Sequence, residues 1–246
     1  MNKMFIVVAV IIIGLSAWFF GSYKSNVGVQ NSPSPSSIVS SSPTPAPVGQ
    51  SAYSGRPLAE LKPSANVLKI YSKTKLDELK SRLVQLAAED KDYPNDPVLW
   101  KEVGLIKNDI EDYTGARDAF EYWHFLSPRN SLALHNLAYL YAYHFNNKEK
   151  AETYLKEAIS YDPDPMYYAQ LADIYRYFFK DDKKVESIVL AGLLQNKNDL
   201  SLLAYLGGFY RDIGNIKAAI EYFEKLYALD PRPVIKDEID RLKSQI

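Results

Sequence analysis

At 246 residues, with 29 basic against 30 acidic side chains and a formal net charge of −1, the chain has no basic excess with which to grip nucleic acid through its phosphates. It contains no cysteine, which excludes disulfides, thiolate metal sites and thiol nucleophiles. The length suits one large domain with appendages.

The first element is apolar. Met4 to Tyr23 is a run of twenty uncharged, mostly apolar residues, about 30 Å long as a helix, which matches a bilayer's hydrocarbon core. Trp18, Phe19, Phe20 and Tyr23 crowd its far end, where amphipathic rings favour the headgroup layer. This predicts an uncleaved, single-pass transmembrane anchor over residues 1–24. The alternative is a cleaved signal peptide and a secreted product, but Leu15-Ser16-Ala17 is a poor small-x-small site. Lys3 and Lys24 flank the run singly, so loop charge barely orients it.

Residues 25–62 change character. Asn31 to Gly55 is rich in Ser and Pro, nearly uncharged and poor in apolar side chains, so it cannot offset the entropy of ordering. The expectation is a disordered linker of roughly 35 Å as a flexible coil. Its composition resembles linkers that follow signal anchors on the outer side of bacterial membranes, which places the remainder on the extracytoplasmic side. A helix follows: Leu76, Leu79, Leu83 and Leu86 form a stripe ending near Asp90, read as a capping helix or degenerate half repeat over 63–96. Whether 57–72 supplies a first helix is left open by Pro63.

From residue 97 the chain repeats. Phrases ending at Pro128, Pro163 and Pro231 lie 35 and 68 positions apart, one and two periods of about 34. A small or β-branched residue is followed four later by a large one: Ala116 and Phe120, Ala151 and Leu155, Val185 and Val189, Ala219 and Phe223. A second helix precedes each phrase, with stripes such as Leu134, Leu137, Ala138, Tyr141 and Leu203, Leu206, Gly207, Tyr210. Trp100, Val103 and Gly104 begin the pattern in the first repeat, and Lys107 breaks its last place. Asp112, Asn147, Asp181 and Asn215 stand where the second helices begin and suit N-caps, and Gly214 suits a left-handed C-cap.

This arrangement resembles the tetratricopeptide repeat. Trp100, Gly104, Ala116, Phe120 and Pro128 match that pattern in the first repeat. Leu203, Leu206, Gly207, Tyr210, Ala219, Phe223 and Pro231 match it in the fourth. Trp123 and Gly192 occupy places the family usually gives to Ala. The resemblance implies an all-α solenoid of helical hairpins, a right-handed superhelix, with four repeats (97–130, 131–164, 165–199, 200–232) and a C-terminal capping helix over 233–246. In that last helix Ile235, Ile239, Leu242 and Ile246 form the stripe.

No catalytic constellation is legible, and no enzyme activity, cofactor or metal is expected. His124, His135 and His144 lack ligand spacing and sit inside helical phrases. The acidic Glu89–Asp96 stretch lacks the central Gly and terminal Glu of an EF-hand loop. What the resemblance implies instead is a concave groove lined by the first helices, where a protein or peptide partner binds. Its candidate lining is Lys101, Leu105, Asn108, His135, Tyr139, Tyr143, Asp173, Arg176, Tyr177 and Arg211. The family's two-carboxylate clamp for chaperone tails keeps only Lys101 and Asn136 here, with Leu105, Met166 and Gln170 elsewhere, so that ligand is disfavoured. The expected role is a membrane-tethered scaffold in envelope, pilus, secretion or complex assembly. The alternative is a self-associating structural module.

Overall fold

The computed structural model describes residues 53–93 and 95–246. The anchor expected over 1–24, and the linker as far as residue 52, lie outside the described residues. Among those described there are eleven helices and no strand. No helix among them is long and apolar enough to cross a membrane.

A short turn, α1 (Val67–Ile70), leads into α2 (Lys73–Asp92). Four hairpins follow: α3 (Pro97–Asp109) with α4 (Tyr113–Leu126), and α5 (Ser131–Tyr143) with α6 (Lys148–Tyr161). Then come α7 (Pro165–Asp173, continued by a π-helical turn Ile174–Phe179) with α8 (Asp182–Gln195), and α9 (Leu200–Asp212) with α10 (Ile216–Leu229). The last helix is α11 (Pro233–Lys243).

The hairpins start where side-chain oxygens can satisfy first-turn amides. Asp112, Asn147, Asp181 and Asn215 cap the second helices as the sequence predicts. Asp96, Asn130, Asp164 and Asp199 do the same for the first helices, a second periodic set that the sequence reading passed over. All eight bonds measure 2.8–3.3 Å. Gly214 is left-handed (φ 79°), and Glu111, Asn146 and Lys180 take the same conformation at the equivalent turns without glycine's freedom. The turn geometry therefore outweighs the cost of a Cβ at three of four positions.

Small residues bring the paired helices together. A Cβ added to Gly104 would lie 2.3 Å from the Phe120 ring. Trp123, standing where the family places Ala, is buried. Trp100 is buried too, its ring 4.3 Å from that of Tyr53 and 4.5 Å from that of Tyr122. Between repeats a tyrosine of each first helix donates to a glutamate on the preceding second helix. These bonds are Tyr141 to Glu121 (2.7 Å), Tyr175 to Glu152 (2.8 Å) and Tyr210 to Glu186 (2.5 Å). Each repeat thus needs its predecessor, as a stack of incomplete units must.

The first repeat has no such predecessor, and here the structure corrects the sequence reading. Lys107, the apparent break in the stripe, is fully buried at the tyrosine's place. Its ammonium donates to the carbonyls of Glu60 (3.0 Å) and Pro57 (3.4 Å) and stands 3.7 Å from Asp112. Asp112 is paired in turn with Arg56 at 2.6 Å. Residues 53–62, expected in the linker, therefore lie along α3 as a strap, from Tyr53 beside Trp100 to Ser64, whose amide reaches the Ile110 carbonyl at 3.0 Å. Such a strap was invisible to pattern reading, because its bonds run through backbone carbonyls and one buried lysine. Of 57–72, only Val67–Ile70 is helical. At the other end Ile235, Ile239 and Leu242 are buried, but Ile246 is 71% exposed because α11 ends at Lys243.

Candidate functional site: the face of the first helices

In α3, α5, α7 and α9 the core stripe is committed to packing, which leaves the opposite face free. Equivalent positions on that face fall 34 or 35 residues apart, so a few residue types recur in rows across it. At one row stand Leu105, Tyr139 and Asp173; at another Asp109, Tyr143, Tyr177 and Asp212. Leu105 (44%), Tyr139 (39%) and Tyr143 (44%) keep large apolar surfaces exposed. Val98, Leu132 and Met166 form an exposed apolar row near the helix starts, which the sequence reading did not assign to the face.

Aromatic contacts gather the middle of the face. Tyr139 and Tyr143 lie 5.1 Å apart, Tyr143 meets Phe178 of α7's π-helical turn at 5.4 Å, and Tyr139 meets His144 at 5.4 Å. His144 stacks on Tyr113 at 3.5 Å. Burial lowers the His144 and His135 pKa values, which fits packed neutral rings; His135 tilts against Tyr167. Among the described residues no group of three or more His, Cys, Asp or Glu could hold a metal ion.

A polar network occupies the far end. Tyr205 donates to Asp173 at 2.8 Å. Arg176 binds Asp212 at 2.7 Å, and its guanidinium lies 5.4 Å from the Tyr177 ring and 5.7 Å from that of Phe209. Arg211 bridges Asp212 and Glu238, carrying the network onto α11. Burial pushes the Asp173 carboxyl up to about 6, with the Tyr205 bond and the Arg176 charge pulling the other way. Burial also raises Asp212, but the bonds from Arg176 and Arg211 outweigh it and hold that carboxyl below its usual range.

Of the ten residues singled out from sequence, six meet in this region: Tyr139, Tyr143, Asp173, Arg176, Tyr177 and Arg211. Lys101, Leu105 and Asn108 sit at the α3 end, where Tyr71 bonds Asp109 at 2.8 Å, and His135 is drawn toward Tyr167. Tyr205, Asp212 and Phe178 were missed. Tyr205 lies three residues before Gly208, the place where the Leu105, Tyr139, Asp173 row continues, whereas Phe178 is displaced by the π-helical turn, which the sequence does not announce.

The tetratricopeptide repeat family model matches residues 132–165 and 202–233. Over those two stretches the chain is similar to the tetratricopeptide repeat. No curated protein matches it by sequence. Among solved structures it is similar to PilW, a type IV pilus biogenesis factor, at 12% identity and a TM-score of 0.54 over 73% of this chain and 84% of that one. It is also similar to MamA residues 41 to the end from Desulfovibrio magneticus RS-1, at 18% identity and a TM-score of 0.51 over 68% and 90%. A further MamA structure gives 17% identity and 0.52 over 71% and 95%. At these identities the likeness establishes a shared fold. The helical hairpins outside the two matched stretches are those whose landmarks depart furthest from the pattern, with Lys107 and Trp123 in the first and Gly192 and Lys197 in the third.

Proposed function

We propose that the chain is a non-enzymatic scaffold that binds a protein or peptide partner on the groove formed by the first-helix face. The observation that carries this reading is the cluster of exposed Leu105, Tyr139 and Tyr143 beside the Asp173–Arg176 network, since large rings and arginine dominate interface energetics. Residues 4–23 would hold the scaffold at a membrane, with the repeats on the extracytoplasmic side, and residues 25–52 would give it reach. Assembly of an envelope, pilus or secretion complex is the setting we favour. The test is proximity labelling or pull-down with the full chain against a Tyr139→Ala/Tyr143→Ala/Arg176→Ala variant. The variant is expected to lose the partner; equal recovery by both would place binding elsewhere. Self-association is the second reading, and light scattering across concentration separates the two.

A further inference from the structure

We propose that Asp173 and the tyrosines around it form a seat for a cationic side chain, lysine or arginine, of the bound partner. This rests on the reading of the first-helix face as the binding surface and adds the chemistry of one contact. Asp173 sits where the aromatic middle of that face meets the polar network, and among the described residues it makes no ion pair within 4.0 Å. Its one side-chain bond is from the neutral Tyr205 hydroxyl. Arg176, one turn on, is held instead by Asp212 at 2.7 Å. Asp212 has a second cation in Arg211, so that end of the face is already neutralised.

A carboxylate removed from water is costly, and Arg176, whose charge draws the Asp173 pKa down, is itself paired with Asp212, so a partner cation would supply the direct pair that Asp173 lacks. The surroundings match a cation in a second way. Tyr143 on α5, Tyr177 on α7 and Tyr205 on α9 all lie within electrostatic reach of Asp173, which adds to burial in raising their hydroxyl pKa values. Ring faces attract ammonium and guanidinium groups, and the attraction strengthens where water is excluded. On α9, three residues after Tyr205, Gly208 has nothing within 4 Å of where a Cβ would be. The seat is thus a carboxylate bonded to one tyrosine hydroxyl, with two further tyrosines within electrostatic reach; of these, the Tyr177 ring already faces Arg176. It has the opposite polarity to a carboxylate clamp.

Titrating the carboxyl separates Asp173 from its neighbours. With a pKa of about 6, Asp173 loses its charge at mildly acidic pH, while Asp212, held low by two arginines, keeps its own. The full chain, with labelled Asp carboxyls and Tyr rings, is titrated by NMR with N-acetyl-arginine amide, N-acetyl-lysine amide and the uncharged N-acetyl-norleucine amide. At about pH 7.5 the two cations are expected to shift the Asp173 and Tyr205 signals saturably, at least ~10-fold more tightly than norleucine. At about pH 4.5 the preference disappears, and Asp173→Asn abolishes it at both pH values. Equal shifts from all three probes, or an unchanged preference in Asp173→Asn, would overturn the proposal. The titration reads free cations on Asp173→Asn and the pull-down reads the partner itself, so the groove reading and the cation seat can fail separately.

Discussion

Trp100 is enclosed by Tyr53, Tyr122 and the first hairpin, so Trp100→Ala is expected to cost about 3–5 kcal/mol, read as a large drop in melting temperature. Gly104→Ala forces a methyl to within 2.3 Å of Phe120 and should cost about 1–3 kcal/mol, whereas the same change at an unencumbered helical glycine stabilises. Asp173 carries a pH signature. The folded state keeps its proton up to about pH 6 while the unfolded chain releases it near the ordinary aspartate value of 3.8, so folded protein binds more protons in that window. Stability contributed at this site therefore falls as pH rises from about 4 to about 6, by on the order of 1–2 kcal/mol once screening at a partly exposed group is allowed for. Asp173→Asn should flatten that fall and melt higher than the parent at neutral pH. Identical pH profiles for the two proteins would show that the carboxyl is not desolvated.

At the scale of elements, the strap is the feature with the clearest energetic consequence. Lys107→Met would leave the Pro57 and Glu60 carbonyls without their donor and Asp112 with Arg56 alone, a loss of about 2–3 kcal/mol by chemical denaturation. Amide exchange across 53–64 should quicken in the same variant. Helix pairs were legible in the sequence because packing at period 3.6 and capping at period 34 both act through side-chain type. Lys107 was misread for the same reason: a charge in an apolar stripe looks like an interruption when its partners are backbone carbonyls some fifty residues away. The π-helical turn at Ile174–Phe179 is likewise silent in composition, yet it sets where Phe178 meets Tyr143.

For the whole molecule, hairpins that each lean on the one before leave the opposite face of the first helices unclaimed. Most of the candidate face was legible, since residues off the core stripe must point elsewhere. What sequence could not supply was pairing, namely that Asp212 takes Arg176 and leaves Asp173 with Tyr205. The direct test is hydrogen exchange by mass spectrometry on the full chain, alone and with its captured partner. Added protection is expected on α3, α5, α7 and α9 with little change on α4, α6, α8 and α10. Protection confined to the second helices would contradict the account.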